Sequence, residues 1–285
     1  MTREIWNRSY VVRMDDLVFD SRRGDTLYME FEVTKTLYTQ ANTGSLTLYN
    51  LNPSHRTRLA QFRQNRRRIR MEIRAGYGQD PPLLFIGDVR PIGFEDYGDG
   101  TETITKVAGT DGGPRITETR FSRTYPEGTD LRVPVRDLVR SLSIGDGNLS
   151  EIGTLNLGTY TTLPRPLTVH GLASAELTEL LRGAGYTWSI QNGAVQILRN
   201  GATLNRTGVS LSPATGLISA AYVDRRTVKV VSYLIPEVAP GYSINVESER
   251  VSGAFRVHSV KYAGQTDGDW SCEIECRIPR AITPY

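Results

Sequence analysis

The chain has 285 residues, of which 39% are hydrophobic and 23% are charged, and its 34 basic and 31 acidic residues give a formal net charge of +3. These values are ordinary for a globular protein of about two domains, so they exclude a disordered or fibrous chain. The near balance of charge also argues against specific nucleic-acid binding, which usually needs a strongly basic surface.

The sequence contains no apolar run close to the about 20 residues that a helix needs to cross a bilayer. Residues 1–8 lack the apolar core of a signal peptide. We therefore expect a protein that has no membrane anchor and is made in a cytoplasm.

The first part of the chain, residues 1–110, has the alternation of apolar and polar residues that is typical of half-buried strands. In residues 27–35 the apolar positions fall on one face, and in residues 69–75 isoleucine, methionine and alanine alternate with arginine and glutamate. Ser54 is a predicted cap for a short helix over residues 55–62. The other predicted strands cover residues 9–14, 45–49, 83–89 and 101–107.

The pattern changes at residues 111–114, where Asp-Gly-Gly-Pro interrupts the strands. Pro134 fits the first turn of a helix that ends near Ser143, and Ser174 is a predicted cap for a second helix that ends at Gly183 and Gly185. The pair Asn192-Gly193 between two alternating runs predicts a hairpin. Residues 111–210 are therefore predicted to form an α/β insert.

Strands return in residues 211–285, and the clearest strand has Trp270, Cys272, Ile274, Cys276 and Ile278 on its apolar face. The two cysteines would have Cα atoms about 13 Å apart in such a strand, which is too far for a disulfide. We expect both to be buried as small hydrophobic residues. The predicted fold class is mainly β: two antiparallel barrels, residues 1–110 and 211–285, flank a helix–helix–hairpin insert.

The three histidines, His55, His170 and His258, do not form a helix-borne metal pair, and the chain lacks a nucleophile elbow or a phosphate loop. A metal held by His258, Cys272 and Cys276 would have a spacing unlike that of common zinc sites. We therefore expect no catalytic, cofactor or metal site. Four carboxylates beside glycines favour turns over a hydrolytic or calcium-binding pair: Asp96, Asp99, Asp267 and Asp269.

The sharpest charge feature is a group of arginines between residues 63 and 74. It is not interleaved with aromatic residues that would stack on bases, so a phosphate-binding stripe is the weaker interpretation. A solvated or protein-docking face is favoured, because arginine is enriched at protein interfaces. The predicted interface residues are Arg63, Arg66, Arg67, Arg68, Arg70 and Arg74.

Several short phrases, taken in their order and spacing, resemble the hub proteins of tailed-phage baseplates. In the first part these phrases occupy residues 31–35, 48–53, 75–77, 85–88 and 110–112. In the last part they occupy residues 212–218, 234–236, 240–241, 253–262 and 269–270.

The resemblance implies two tail-tube-like barrels per chain and a homotrimer, so that three chains present a nearly sixfold ring. Such a ring connects the hexameric tail tube, or a tube-initiator protein, to the trimeric central spike, and it contacts other baseplate proteins in the virion. The resemblance carries no catalytic residue and no cofactor.

Two alternatives stay open from the sequence. A tail-tube or distal-tail ring protein would typically be a single barrel, and the insert argues against it. A carbohydrate-binding or hydrolytic tail protein would need exposed aromatic residues, with Trp188 or Trp270 as the sugar platform beside paired carboxylates.

Overall fold

The computed structural model describes residues 7–24, 27–65, 68–98, 102–150, 160–204 and 208–278. The chain divides into two compact units. The first, which we call the sheet unit, combines residues 1–36, 42–111 and 204–279. The second, the insert unit, contains residues 37–41, 112–203 and 280–285.

The first part of the sheet unit consists of strands and one helix. Its alternating sequence is reflected in burial, since Ile69, Met71, Ile73 and Ala75 are all buried as predicted. The helix begins after Asn52, whose side-chain Oδ1 accepts a hydrogen bond from the Ser54 amide at 3.0 Å, so Asn52 and not the predicted Ser54 caps it. The elements are β1 (Arg8–Met14), β2 (Leu17–Asp20), β3 (Met29–Thr36), β4 (Asn42–Tyr49), α1 (Pro53–Gln64), β5 (Ile69–Tyr77), β6 (Leu83–Gly98) and β7 (Thr103–Asp111), with a 3₁₀ turn at Ser21–Arg23.

In its described residues the insert unit has three helices and two antiparallel strand pairs, of which β10–β11 is a hairpin and β8–β9 is a pair with α3 between its strands in sequence. Asn192 and Gly193 both have positive φ, 52° and 80°, so the predicted Asn-Gly hairpin turn is confirmed. Ser174 does not cap a helix: its hydroxyl donates to the Ile116 carbonyl at 2.7 Å, and the residue before the helix is Leu172. The elements are α2 (Gly113–Glu118), β8 (Arg120–Tyr125), α3 (Arg132–Ser141), β9 (Leu167–Leu172), α4 (Ala173–Gly183), β10 (Tyr186–Gln191) and β11 (Ala194–Arg199).

The last part of the chain returns to the sheet unit. The predicted apolar face of its final strand is buried at Trp270, Cys272, Ile274 and Cys276, and both cysteines are buried thiols. Ile278 is exposed, because the strand ends at Arg277. The elements are β12 (Val209–Leu211), β13 (Leu217–Tyr222), β14 (Thr227–Tyr233), β15 (Ser243–Glu247), β16 (Ser252–Gln265) and β17 (Trp270–Arg277), with a 3₁₀ turn at Pro213–Thr215.

The prediction of a mainly β chain with an α/β insert is confirmed. The sheet differs from the prediction of separate barrels at the two ends, because the described strands of both ends form one 13-stranded sheet. Its main path runs β13-β14-β17-β16-β3-β4-β7-β6-β5-β1-β2, and off this path β15 pairs with β16 and β12 pairs with β15. The strands of the two ends are therefore joined in one continuous sheet.

The two halves meet where β16 pairs with β3, a junction that we call the seam. β16 is 14 residues long. Its first residues pair with β15, and residues 259–265 pair antiparallel with residues 30–36 of β3. This pairing satisfies the backbone groups on the edge of β3 that β4 leaves open, which is the physical reason for the continuous sheet.

Each unit has its own hydrophobic core. In the sheet unit one continuous cluster includes buried residues from both halves, among them Phe31, Phe85, Tyr262 and Trp270. A sheet of so many strands must curl to bury one face around a single core. In the insert unit α3 and α4 pack with the two strand pairs around Trp188, whose Nε1 donates to Thr178 Oγ1 at 3.0 Å.

Candidate assembly surfaces

The structure places part of the predicted arginine group on one strand face. On β5, Arg70 is exposed and Arg74 is half-buried, on the face of the strand opposite to the buried Ile69 and Met71. Arg68 is exposed just before the strand. Arg63 belongs to α1, but its side chain is outside the described part of the structure, as are Arg66 and Arg67. The structure thus brings together Arg68, Arg70 and Arg74.

Carboxylates accompany these arginines. On β5 itself Arg74 Nε donates to Glu72 Oε1. Across the neighbouring strands Arg70 lies directly opposite Asp88 of β6, and Glu72 lies opposite Arg13 of β1. This face is a lattice of mixed charge, which matches a protein surface of alternating charge better than a phosphate backbone.

A second charged network crosses the seam on the outward face of the sheet. Lys229 of β14 pairs with Glu273 of β17 at 2.9 Å, and Lys261 of β16 pairs with Glu32 of β3 at 2.8 Å. The hydrogen bond from Lys229 holds the pKa of Glu273 below its ordinary value. These pairs are about half exposed, so each contributes at most about 1 kcal/mol to folding.

β13 is the strand at one end of the sheet and has unusual exposure. Among the described strands it pairs only with β14. Ile218 is 55% exposed, Tyr222 is 50% exposed and the following Val223 is 66% exposed. Its six residues include no charge and no proline, the usual devices that keep an edge strand from pairing with other chains.

Tyr222 shows that the core itself is open along this strand. It lies opposite Val228, which is completely buried, so its side chain is on the core side of the sheet. Its ring contacts Phe255 edge-on, with 6.5 Å between the centroids, yet half of the residue is exposed. Sequence reasoning missed this surface, because exposure of an apolar strand depends on its place in the sheet.

The opposite end of the sheet is protected. β2 has only four residues and ends in Asp20. Arg22 donates from its side chain to both Asp20 oxygens at 2.8 Å. The same hydrogen bonds hold the pKa of Asp20 below its ordinary value. A short edge closed by an ion pair resists pairing with other strands.

The three histidines lie on different elements. His55 on α1 packs edge-on against Phe19, and exposed His170 on β9 is 3.1 Å from the Ser122 hydroxyl. His258 is buried at an irregularity in the pairing of β16 with β17, and burial lowers its pKa to about 4, helped by Arg277 and Arg256. Within the described ranges, no group of three or more His, Cys, Asp and Glu side chains is arranged to hold a metal.

Trp188 and Trp270 cannot serve as sugar platforms, because both are almost completely buried. Trp270 Nε1 donates to the Gln265 carbonyl at 2.8 Å, which fixes its ring in the core. Asp267 and Asp269 lie in the turn between β16 and β17, while Asp99 and the side chain of Asp96 lie outside the described part. Among the helices that the structure describes, none has the length and apolar character of a transmembrane span.

No protein-family model matches the chain, and no curated protein matches its sequence. Solved structures do match. The 43 kDa tail protein of prophage MuSo2 from Shewanella oneidensis has a TM-score of 0.65 at 11% identity, over 97% of this chain and 100% of that chain. The tail protein from Neisseria meningitidis MC58 has a TM-score of 0.65 at 8% identity, over 96% of this chain and 97% of that chain.

A third match is the E. coli c3393 protein, a component of the type VI secretion system that is described as similar in structure to T4 bacteriophage tail proteins gp27 and gp5. Its TM-score is 0.57 at 10% identity, over 95% of this chain and 77% of that chain. At these identities the likeness establishes the fold. The chain has the fold of phage tail proteins, so the predicted resemblance is confirmed at that level.

Proposed function

We propose that the chain is a structural, non-enzymatic protein of a phage-type tail and that it serves as the baseplate hub. Three copies form a ring that connects the hexameric tail tube to the trimeric central spike. The observation that carries the proposal is the match of fold over nearly the whole length of both chains, insert included, to two tail proteins.

The open edge of the sheet supports assembly into a ring. An apolar edge such as β13, with Tyr222 exposed on the core side, needs a partner to cover it. A closed ring of identical copies covers each such edge without growing into a filament. We therefore assign β13, with the following Val223, to the contact between neighbouring copies.

The mixed-charge face of β5 supports a second type of contact. Arg68, Arg70 and Arg74 with Glu72 and Asp88 present charges of both signs, which select a partner and its register more than they add raw affinity. We assign this face to contact with a tube, spike or other baseplate protein, and we assign Arg63, Arg66 and Arg67 to the same contact because they are close to it in sequence.

The test is the number of copies in the purified tail, measured by quantitative mass spectrometry against a tail protein of known copy number. Three copies per tail, at 31.7 kDa each, agree with the hub. Six copies would replace it with the alternative of a tail-tube or distal-tail ring, and absence from tails would refute a structural tail role.

A further inference from the structure

A row of large side chains crosses the neighbouring strands β4, β7 and β6 and includes the residue just before β3, on the outward face of the sheet. We call it the tyrosine row: Tyr28, Tyr49, Ile104 and Tyr97. Tyr49 of β4 lies directly opposite Ile104 of β7, which lies opposite Tyr97 of β6. The rings of Tyr28 and Tyr49 meet edge-on with 5.0 Å between their centroids.

The row is accessible. Tyr28 is 39% exposed and Tyr97 is 45% exposed, while Tyr49 and Ile104 are half-buried between them. Single exposed apolar residues are ordinary on protein surfaces. Four neighbours in one row form a patch of the kind that marks an interaction site, and tyrosine is enriched at protein interfaces.

The row is also held rigidly. Asn50 follows Tyr49 in the left-handed conformation, with φ 49°, and its amide donates to the Thr103 carbonyl at 2.7 Å. The Thr103 amide donates back to Asn50 Oδ1 at 3.0 Å, and the Tyr49 hydroxyl donates to Glu30 at 3.1 Å. Because these bonds fix the backbone and one ring before any contact forms, binding here orders few groups.

The charges around the row are mainly negative. Glu30 and Glu95 interact electrostatically with the Lys106 ammonium, and Glu102 interacts in the same way with the Tyr49 hydroxyl. Lys106 is the one cation in this group of four charges, and it lies over the Tyr97 ring at 5.5 Å. The complement of this surface is therefore apolar and positively charged.

We propose that the tyrosine row is a docking surface for a second protein whose contacting face carries aliphatic side chains and an excess of lysine and arginine. The inference goes beyond the proposed function, because it depends neither on the copy number nor on a ring. An anionic membrane is disfavoured as the occupant, because the carboxylates around the row would repel it.

The experiment places a photo-reactive phenylalanine analogue, benzoylphenylalanine, at position 97 of the full chain in its native host cell. The matched control carries the same analogue at Tyr160, which is 55% exposed in the insert unit. Cross-linked products are identified by mass spectrometry, both in whole cells and in purified tail particles. We expect the probe at position 97 to join one defined protein at a segment rich in aliphatic, lysine and arginine residues.

A charge-reversed double variant, made with the probe at position 97, tests the chemistry of the contact. Glu95→Lys with Glu102→Lys should lower the cross-link yield about tenfold, as loss of roughly 1.4 kcal/mol of binding would. Tyr28→Phe, made in the chain that carries the probe at position 97, keeps its ring in the row and should give the normal cross-link yield. An unchanged yield in the charge-reversed protein, with both variants folded by circular dichroism, overturns the proposal.

The remaining outcomes separate this inference from the proposed function. A cross-link to the expected kind of protein in cells, with the chain absent from tails, supports the docking surface and refutes the tail role. Three outcomes would each overturn the docking surface. They are the same cross-linked products from position 97 as from the Tyr160 control, cross-links only between copies of this chain, and binding of the purified protein to phosphatidylglycerol vesicles through the row.

Discussion

Tyr262 of β16 lies directly opposite Val33 of β3, and both side chains are buried at the seam between the two ends of the chain. The Tyr262 hydroxyl also donates to the Val238 carbonyl, so this one residue ties the seam to the loop after β14. The position therefore joins three distant parts of the sheet unit.

Removing parts of Tyr262 should destabilise the protein in two steps. Tyr262→Phe loses the hydrogen bond to a buried carbonyl and should lower the free energy of unfolding by about 1–2 kcal/mol. Tyr262→Ala also leaves a cavity and should cost about 3–5 kcal/mol. Urea denaturation measures both, and Tyr233→Phe on the exposed face of β14 is the control. Equal stability of Tyr262→Phe and the parent would contradict the role of the hydroxyl.

Stability should fall in acid because of His258. Its pKa is about 4 in the folded chain and about 6.5 when exposed, because burial and two arginines disfavour the charged ring. Between these values the unfolded chain takes up a proton and the folded chain does not, so lowering the pH through this window favours unfolding. The effect is small above pH 6.5 and reaches at most about 3 kcal/mol near pH 4.

The measurement compares urea denaturation of the parent and His258→Gln at pH 7, 5.5 and 4.5. The difference between the two proteins isolates His258 from carboxylates that titrate nearby. We expect the parent to lose more stability than the variant as the pH falls. Equal losses of stability in the two proteins would mean that the pKa of His258 is not lowered in the folded chain.

Charged substitutions on β13 should block assembly without unfolding the chain. Ile218→Lys with Val223→Lys changes two exposed side chains, so the free energy of unfolding should change by under about 0.5 kcal/mol per site. Self-association, measured by light scattering, and incorporation into tails should both be lost. Tyr160→Lys is the control. Normal incorporation of the β13 variant would show that this strand does not form the contact between subunits.

Charge reversal on β5 should weaken a different contact. Arg68→Glu with Arg70→Glu places a second carboxylate directly opposite Asp88, which should cost the folded chain no more than about 1 kcal/mol. Reversing Arg67 as well extends the change along the predicted group. Arginines at an interface centre can each contribute about 2 kcal/mol, so incorporation into tails should fall at least about tenfold. Arg136→Glu on α3 is the control. Unchanged incorporation of the β5 variant would show that this face does not contact another tail protein.

Local features of the fold were predictable because they depend on neighbours along the chain. The alternation around β5 and β17 predicted which residues are buried, and Asn192-Gly193 predicted a turn that needs positive φ. Pro134 is the third residue of α3 and so lies in its first turn, as predicted. Helix caps were less accurate, since Ser174 bonds to a distant carbonyl instead of capping α4.

Pairing and exposure between distant segments were beyond the sequence. The seam depends on which open strand edge β16 pairs with, and the alternation of apolar and polar residues does not distinguish one partner strand from another. The candidate surfaces follow the same rule. The arginines of β5 stand out as charge, whereas β13 and the tyrosine row look like ordinary strands until their neighbours are known.

The seam has a consequence for synthesis of the protein. Met29 bonds to Thr266, 237 residues later, so β3 leaves the ribosome long before its partner strand exists. The insert unit pairs its strands within residues 120–199 and can form first, because nearby contacts close quickly. Until β16 emerges, the nascent chain displays the bare edge of β3, which is a hazard for pairing with other nascent copies. We therefore expect the time before β16 emerges to limit how much native protein a cell obtains.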